Sequence, residues 1–493
     1  MTEYVPTIGL EIHAELRTKS KMFCGCKNNP DETLPNANTC PICLGHPGTL
    51  PVLNKEAIAH VIKIGTAVNG SIARDFTEWD RKHYFYPDIP KGYQISQYKY
   101  PLVKGGSIAG VEITRIHLEE DTAKSTHDKG EKSLVDFNRS GVPLMELVTE
   151  PVIHDAKTAV NFAKELQLLL RYLGAGDANL EKGEMRIEVN ISISPKGVDG
   201  KRTLPFGTKT EIKNLNSFKA VEKSILYEIE RQTAVIENGG KVTQETRGWD
   251  DSTGTTFSQR AKESSHDYRY YPDPDIPKLS INNVSELNPE NLAKNMPELP
   301  WNLRSRYAKD FEMTEKEVEV FVGSPTATKY FEEFVKKAGG ENKKAIRLGI
   351  NYFLSEYVGL LKKDHGENYE DSIFTVLPGV FAGVILCASS GKMSSRGVKD
   401  FLAYAYKNFV QVNEEKDIES VISKLGFIQN QDTGELEKVV LEVIAENPGP
   451  VSDFKAGKAV ALQFLIGQGM KKTKGKGSPE VLKELFTKNI QSN

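Results

Sequence analysis

Alternation of apolar and polar residues dominates the first half of the chain. In TIGLEIHAEL, Ile8, Leu10, Ile12, Ala14 and Leu16 fall on one side, and Gly9, Glu11, His13 and Glu15 on the other. That period of two is the signature of a strand. ITRIHLEED repeats it, with Ile116 and Leu118 opposite Arg115, His117 and Glu119. RIEVNISIS sets Ile187, Val189, Ile191 and Ile193 against Arg186, Glu188, Asn190 and Ser192, and KTEIKNLNSF puts Lys209, Glu211 and Lys213 on one face. Such strands predict a largely antiparallel sheet with one exposed surface. Two segments switch to helical spacing. HDAKTAVNFAKELQLLLRYLGAG ends on Gly174 and Gly176, while SFKAVEKSILYEIERQTAVIENGG can be capped by Ser217 and stops at Gly239 and Gly240.

The pattern changes near 272–300, where PDPDIP and NPENLAKNMPELP are proline-rich and irregular. Beyond them the spacing is helical, with a softer break near 368–380. The predicted class is α+β: a sheet-based part over 1–293, a helical domain over 294–370 and a small helical tail over 371–493. A chain of 493 residues with 39% hydrophobic and 27% charged residues is ordinary for such a protein. Mean hydropathy is −0.42, and no run of about 18 apolar residues is present, so no membrane span is expected. The first residues lack a basic region followed by an apolar core, which predicts a cytoplasmic protein. Net charge is −3. That excludes a globally basic nucleic-acid binder but leaves room for a local basic patch.

Four of the five cysteines fall close together. Cys24 and Cys26, then Cys40 and Cys43, read C-x-C, thirteen residues, C-x-x-C. Two short-spaced pairs across a loop bring four thiolates around one tetrahedral ion, and four protein ligands leave no open position for chemistry. Structural zinc is therefore favoured over four free thiols or a redox pair. Cys387, in FAGVILCA, reads as a core residue.

The polar strand faces carry Glu11, His13, Glu119, Glu188 and Glu211, with Glu146 and Glu150 in GVPLMELVTEP. Several acids on one face repel unless a cation sits among them, and a hard oxygen-liganded ion such as Mg²⁺ would satisfy them. From periodicity alone, an exposed face paired with lysines remains the simpler reading. No phosphate loop, dinucleotide fingerprint or kinase set is present. The segment 81–98 is dense in aromatic and basic residues. It could stack a base on Tyr84, Phe85 or Tyr86 while Arg81, Lys82 and Lys91 meet phosphates. HDYRYYPDPDIP has the same character. In the tail, Lys471, Lys472, Lys474 and Lys476 fall within six residues on what reads as a loop, and could track a nucleic-acid backbone. KMSSR (392–396) reads as a helix start capped by Ser394 or Ser395.

Taken in series, IGLEIHAEL, PNANTCPICLGHPGTLPVLN, RKHYFYPDIPKGYQISQY, HLEEDTAKSTH, NRSGVPLMELVTEP, EVNISI, GTKTEIKNLNSF, ETRGWDDSTG, HDYRYYPDPDIP, MPELP, KMSSRGVKDF and GMKKTKGKGSP resemble the B-subunit family of the aspartyl/glutamyl-tRNA amidotransferases. They run in family order from residue 8 to residue 479. The resemblance implies an enzyme that uses ATP and Mg²⁺ to phosphorylate the side-chain carboxylate of mischarged Glu-tRNA(Gln) or Asp-tRNA(Asn). Ammonia from an amidase-type glutaminase subunit then displaces phosphate, within a heterotrimer that also holds a small third subunit. It further implies Mg²⁺ ligands at His13, Glu119 and Glu146, with Glu11, Glu188 and Glu211 lining the same catalytic pocket, zinc at the four cysteines, and a tail that contacts tRNA. Glu188 stands where relatives carry an Asp. The fold implied is a cradle around an antiparallel sheet. No amidase signature is present, so no glutaminase activity is expected of this chain alone. A tRNA-binding scaffold without catalysis is the rival reading.

Overall fold

The strictly alternating stretches all become strands of one sheet. In chain order the principal strands are β1 (Tyr4–Glu15), β2 (Asp80–His83), β3 (Tyr93–Ser96), β4 (Val111–Glu120), β5 (Pro143–Thr149), β6 (Met185–Pro195), β7 (Thr210–Leu215), β8 (Glu245–Asp250), β9 (Thr255–Ala261) and β10 (Tyr271–Pro272). The large sheet runs β9-β8-β7-β6-β1-β5-β4, with short strands beyond β4 at the edge. Its pairs are antiparallel except β7 with β8. The computed structural model describes residues 2–127, 132–197, 205–261, 268–366, 374–408, 417–429, 433–473 and 475–491. The chain divides into two compact units, Met1–Pro300 and Trp301–Asn493.

The apolar face behaves as the alternation predicts. Ile8, Leu10, Ile12, Ile187, Val189, Ile191 and Ile193 are all buried. Helix α1 (Lys55–Ala67) precedes β2, α2 (Ala156–Tyr172) follows β5 and α3 (Phe218–Glu237) follows β7. The Ser217 cap and the terminal glycines are the expected ones, and Asp155 adds a cap to α2. Asp155 accepts from the Thr158 N–H at 2.8 Å and Ser217 from the Ala220 N–H at 3.0 Å. Gly174 and Gly239 take φ values of +64° and +76° beyond the helix ends. Helix α3 packs on β6, and α2 packs on α3.

The polar face departs from expectation. It is not an open surface, because a second, three-stranded sheet of order β10-β2-β3 lies against β4. Gln97 accepts a hydrogen bond from the Leu118 N–H, Gln94 donates to the Glu120 carbonyl and the Ile95 N–H donates to Glu120. Glu119 and His117 are each only 2% exposed in consequence. Glu119, read from alternation as solvated, is therefore held under a lid of protein.

In the second unit, helix Pro378–Ser389, which buries Cys387, packs against helices Pro325–Lys337 and Lys343–Tyr352. The last four helices, Thr433–Glu446, Pro448–Lys455, Ala459–Lys472 and Pro479–Gln491, enclose a core of their own around Leu436, Val440, Leu465 and Phe486. KMSSR is a helix start, since Ser394 accepts from the Gly397 N–H ahead of helix Ser395–Asn408. Among the described residues, no helix is long and apolar enough to cross a membrane.

Candidate active site

Strand register assembles the site. With β6, β1, β5 and β4 side by side, Arg186 pairs with His13, His13 with Glu146, and Glu146 with His117. On adjacent rows Glu11 pairs with Glu188, and Leu144 separates Glu15 from Glu119. Directly opposed residues hold their Cβ atoms about 5 Å apart, so a shift of one residue would turn every one of these groups to the other face. The result is an imidazole–carboxylate grid. His13 Nε2 lies 3.4 Å from Glu146, 3.6 Å from Glu119 and 4.0 Å from Glu11. His117 Nε2 lies 3.5 Å from Glu146 on its other side. Arg115 donates to the second Glu146 oxygen at 3.2 Å.

Two like imidazoles are driven in opposite directions. Burial works against charge on His13, but the hydrogen bond and charge of Glu146, with Glu119 and Glu188, raise it to about 9. His117 is pushed down to about 4, chiefly by burial, against the pull of Glu146. Glu146 resists its own burial and is held well below the ordinary carboxylate range by His117, His13 and Lys82. Glu119 is raised by burial and by Glu146. Glu11 is raised to about 7 by burial, Glu146 and Glu188. The cluster holds more carboxylate than its own cations can balance.

Above the grid opens a polar cavity of about 250 Å³. Glu11, Arg115, His117, Glu146, Glu188, Glu211, Lys213 and Thr246 line it from the large sheet, and Lys82, Ser96, Gln97, Tyr98, Tyr268 and Tyr270 from the opposite wall. Lys213 pairs with Glu188 at 2.8 Å. Glu211 accepts from the Thr246 hydroxyl at 2.7 Å. Behind it, fully buried Glu228 on α3 binds Arg231 in two hydrogen bonds and accepts from Gln232 and Thr256. Among the described residues, groups within mutual ligating reach are Glu11–His13–Glu146, His117–Glu119–Glu146 and Glu11–Glu188–Glu211.

The structure separates the residues of the 81–98 segment. Lys82 points into the cavity, lies 5.0 Å from the Tyr268 ring centre and, despite burial, keeps its charge through Glu119. Arg81 does not meet the expectation of a free phosphate contact. Asp273 and Asp275 hold it at 2.8 and 2.9 Å, tying β2 to the chain after β10. Lys91 is taken by Glu120. Tyr84 is no open stacking platform, since its hydroxyl donates to Gln94 and its ring packs edge-on against Tyr86 and Tyr268. Phe85 and Tyr86 are exposed but do not line the cavity. The aromatic pair at the cavity is instead Tyr98 and Tyr270, stacked at 4.3 Å. The sequence patterns do not single out His117, Tyr98, Tyr270 and Thr246 as site residues. Alternation with Glu119 could have flagged His117, whereas the other three arrive from segments with no period to mark them.

The cysteine loop forms a separate centre. All five cysteines are free, and Cys24, Cys26, Cys40 and Cys43 place their sulfurs within 4.8 Å of one another. Cys40 and Cys43 are 3.9 Å apart, and a tetrahedral ion with metal–sulfur bonds of about 2.3 Å would set sulfurs about 3.8 Å apart. The knuckle turn is built by the Leu44 and Gly45 N–H groups donating to the Cys40 and Ile42 carbonyls. Gly45 has φ +68°, and a Cβ there would lie 2.6 Å from the Lys91 side chain. Cys43 is lowered to about 5 by the hydrogen bond from Cys24, while burial pushes Cys26 up to about 11.

In the tail, Lys471 and Lys472 occupy the last turn of helix Ala459–Lys472, so half of the expected loop is helix. Lys472 is paired with Glu442 and Glu446, whereas Lys471 and Lys476 are exposed. Lys474 lies outside the described residues.

Comparison with known proteins fits this geometry. A family model described as the GatB/GatE catalytic domain matches residues 6–285, and one described as the GatB domain matches residues 329–490. A relative from Thermodesulfovibrio yellowstonii, named as the B subunit of an aspartyl/glutamyl-tRNA(Asn/Gln) amidotransferase, is 42% identical over 99% of this chain and 100% of its own. Relatives of the same name from Persephonella marina and Brevibacillus brevis are 41% and 40% identical, over 98% and 100% of this chain and 99% and 100% of theirs. The chain belongs to the B-subunit family of the aspartyl/glutamyl-tRNA(Asn/Gln) amidotransferases.

Proposed function

We propose that the cavity over the imidazole–carboxylate grid activates the side-chain carboxylate of Glu or Asp carried on tRNA, using ATP. The observation that carries this is the surplus of carboxylate among buried Glu119, Glu146 and Glu211 and half-buried Glu11 and Glu188, beside one cavity that Lys82 enters. A substrate carboxylate and a triphosphate are anions, and such acids are unsuited to them unless a cation stands between. The donors suit a hard divalent ion, and Glu119 Oε2 is buried without a hydrogen-bond partner. His13, Glu119 and Glu146 would hold Mg²⁺, which supplies charge neutralisation to phosphate oxygens when bound. Lys82 then meets an oxygen of the transferred group, while Lys213 and Arg115 aim Glu188 and Glu146 through their hydrogen bonds.

The chemistry follows from leaving groups. A substrate carboxylate oxygen attacks the γ-phosphorus of ATP, the bond to ADP breaks and an acyl phosphate forms. Ammonia adds at the acyl carbon, phosphate departs and a proton is lost, leaving the amide of Gln-tRNA or Asn-tRNA. The chain's part is positioning and charge. A glutaminase subunit and a small third subunit are the proposed partners, and zinc the proposed occupant of the four cysteines. We place the tRNA-contacting tail in the four helices from Thr433 onward, which share one core, in place of a tail starting at 371.

In the complex reconstituted with its glutaminase partner, Glu146→Gln and Glu119→Gln are expected to lower ATP-dependent phosphorylation by about 10²–10³-fold. Binding of charged tRNA should be unchanged. Wild-type phosphorylation in both variants would leave the chain a scaffold.

A further inference from the structure

Lys21 sits at the foot of the cysteine loop and is fully buried. Its ammonium donates one hydrogen bond, to the Phe137 carbonyl at 3.0 Å. Among the described residues, no carboxylate forms an ion pair with it. A cation taken out of water is normally met by an anion, because one backbone carbonyl does not replace its hydration. If Lys21 served only to fill space, an apolar side chain would do so without that loss.

Beside it lie the cysteine loop and the carboxylate of Glu120, which Lys91 holds. The Lys21 N–H donates to the Cys26 carbonyl at 3.0 Å, which fixes it to the first cysteine pair. Its Cδ and the Cβ of Cys43 both lie 3.6 Å from the position that a Cβ on Gly141 would take. The lysine stem and Cys43 of the second pair therefore flank the same backbone position, Gly141. Neutral thiols cannot balance an ammonium. Four thiolates around one divalent ion carry a net charge of −2, at a centre in which Cys43 is buried and the other three are half-buried.

We infer that Lys21 is the counter-charge of the cysteine centre: a positioning residue that does not touch the metal and whose ammonium stabilises the tetrathiolate form. The inference rests on the reading of the four cysteines as a zinc site. Partners that shape the surroundings of metal ligands commonly govern affinity by one to two orders of magnitude.

The test is competition for Zn²⁺ between a chelator and the full-length chain as wild type, Lys21→Gln and Lys21→Met. Gln keeps a donor for the Phe137 carbonyl and loses the charge. Both variants are expected to bind Zn²⁺ about 10–100-fold more weakly. In a Cys26→His background, where the centre carries −1, the loss on Lys21→Gln should shrink. The rise in unfolding temperature on adding zinc should also be smaller in the variants than in wild type. Unchanged Zn²⁺ affinity in Lys21→Gln, or equal destabilisation of zinc-loaded and chelated forms, would reduce Lys21 to packing and overturn the inference. Failure of both variants to fold with or without zinc would do the same. A wild-type chain that binds no zinc would overturn the zinc reading itself, and the inference with it.

Discussion

The cysteine loop and the carboxylate grid are both clusters of would-be anions, yet they are assembled differently. The loop draws its four sulfurs from a stretch of twenty residues and closes around them. The grid draws from β1, β4, β5, β6 and β7, so its neighbours in space lie up to about two hundred positions apart in sequence. The loop offers soft donors in a closed set, the chemistry of a structural ion. The grid offers hard donors beside an open cavity, the chemistry of a site that must admit a substrate. A local cluster can be read from spacing. A distributed one depends on register, and register depends on everything that holds the strands.

That difference can be broken at a distance. Glu228 is fully buried, carries Arg231 and reaches β9 through Thr256, behind the strand pair that holds Glu211. Arg247 also lies 3.8 Å from Glu228, so Glu228→Ala leaves both arginines without this partner and is expected to cost about 3–5 kcal/mol of folding stability. Chemical denaturation measures it. Zinc content of the folded fraction should not change, since the cysteine loop shares no residue with that network. Loss of zinc together with stability would show that the two centres are one cooperative unit. The loop has an anchor outside its own sequence as well. Asn138, fully buried, accepts from the Asn38 N–H and donates to the Leu34 carbonyl, both at 2.8 Å. Asn138→Ala is expected to cost about 1–3 kcal/mol. It should expose the segment before Cys40 to protease while ATP-dependent phosphorylation in the complex persists. Equal loss of both would make the loop part of the active site's support.

What was legible in the sequence follows the same line. Period-two alternation reveals β1, β4 and β6, and the ends of α2 and α3 are written in Ser217 and their terminal glycines. The four cysteines are legible because their spacing is short. Alternation also placed Glu11, His13, Glu119 and Glu188 on one kind of face, but could not tell a solvated face from a covered one. The cover comes from β2 and β3 through Gln94 and Gln97, whose hydrogen bonds to β4 have no periodic signature. For the same reason Arg81 and Lys82 look alike in sequence. They are adjacent on a strand and point to opposite sides, one to Asp273 and Asp275 and the other into the cavity. Tyr270 reaches the cavity only because the chain returns across β2 nearly two hundred residues later.

The smallest expected effect lies in the tail, where the comparison takes a third form: charge that is local in sequence but not equal in use. Four lysines within six residues suggest four equal contacts to a phosphate backbone. Lys472 instead spends its charge on Glu442 and Glu446, at 2.9 and 2.7 Å. Each phosphate contact made by an otherwise free cation releases counterions and steepens the salt dependence of binding by about 0.7–0.9 in logarithmic slope. A lysine already neutralised by two acids releases little. Lys471→Gln and Lys476→Gln are therefore each expected to lower the slope by that amount and to weaken tRNA binding modestly at physiological salt. Lys472→Gln should change the slope less, and Glu442→Gln with Glu446→Gln should strengthen binding by freeing Lys472. Filter binding of charged tRNA across a salt series measures all three. Equal slopes for Lys471→Gln and Lys472→Gln would mean that the ion pairs at Lys472 open on binding, and that sequence proximity alone sets the contact.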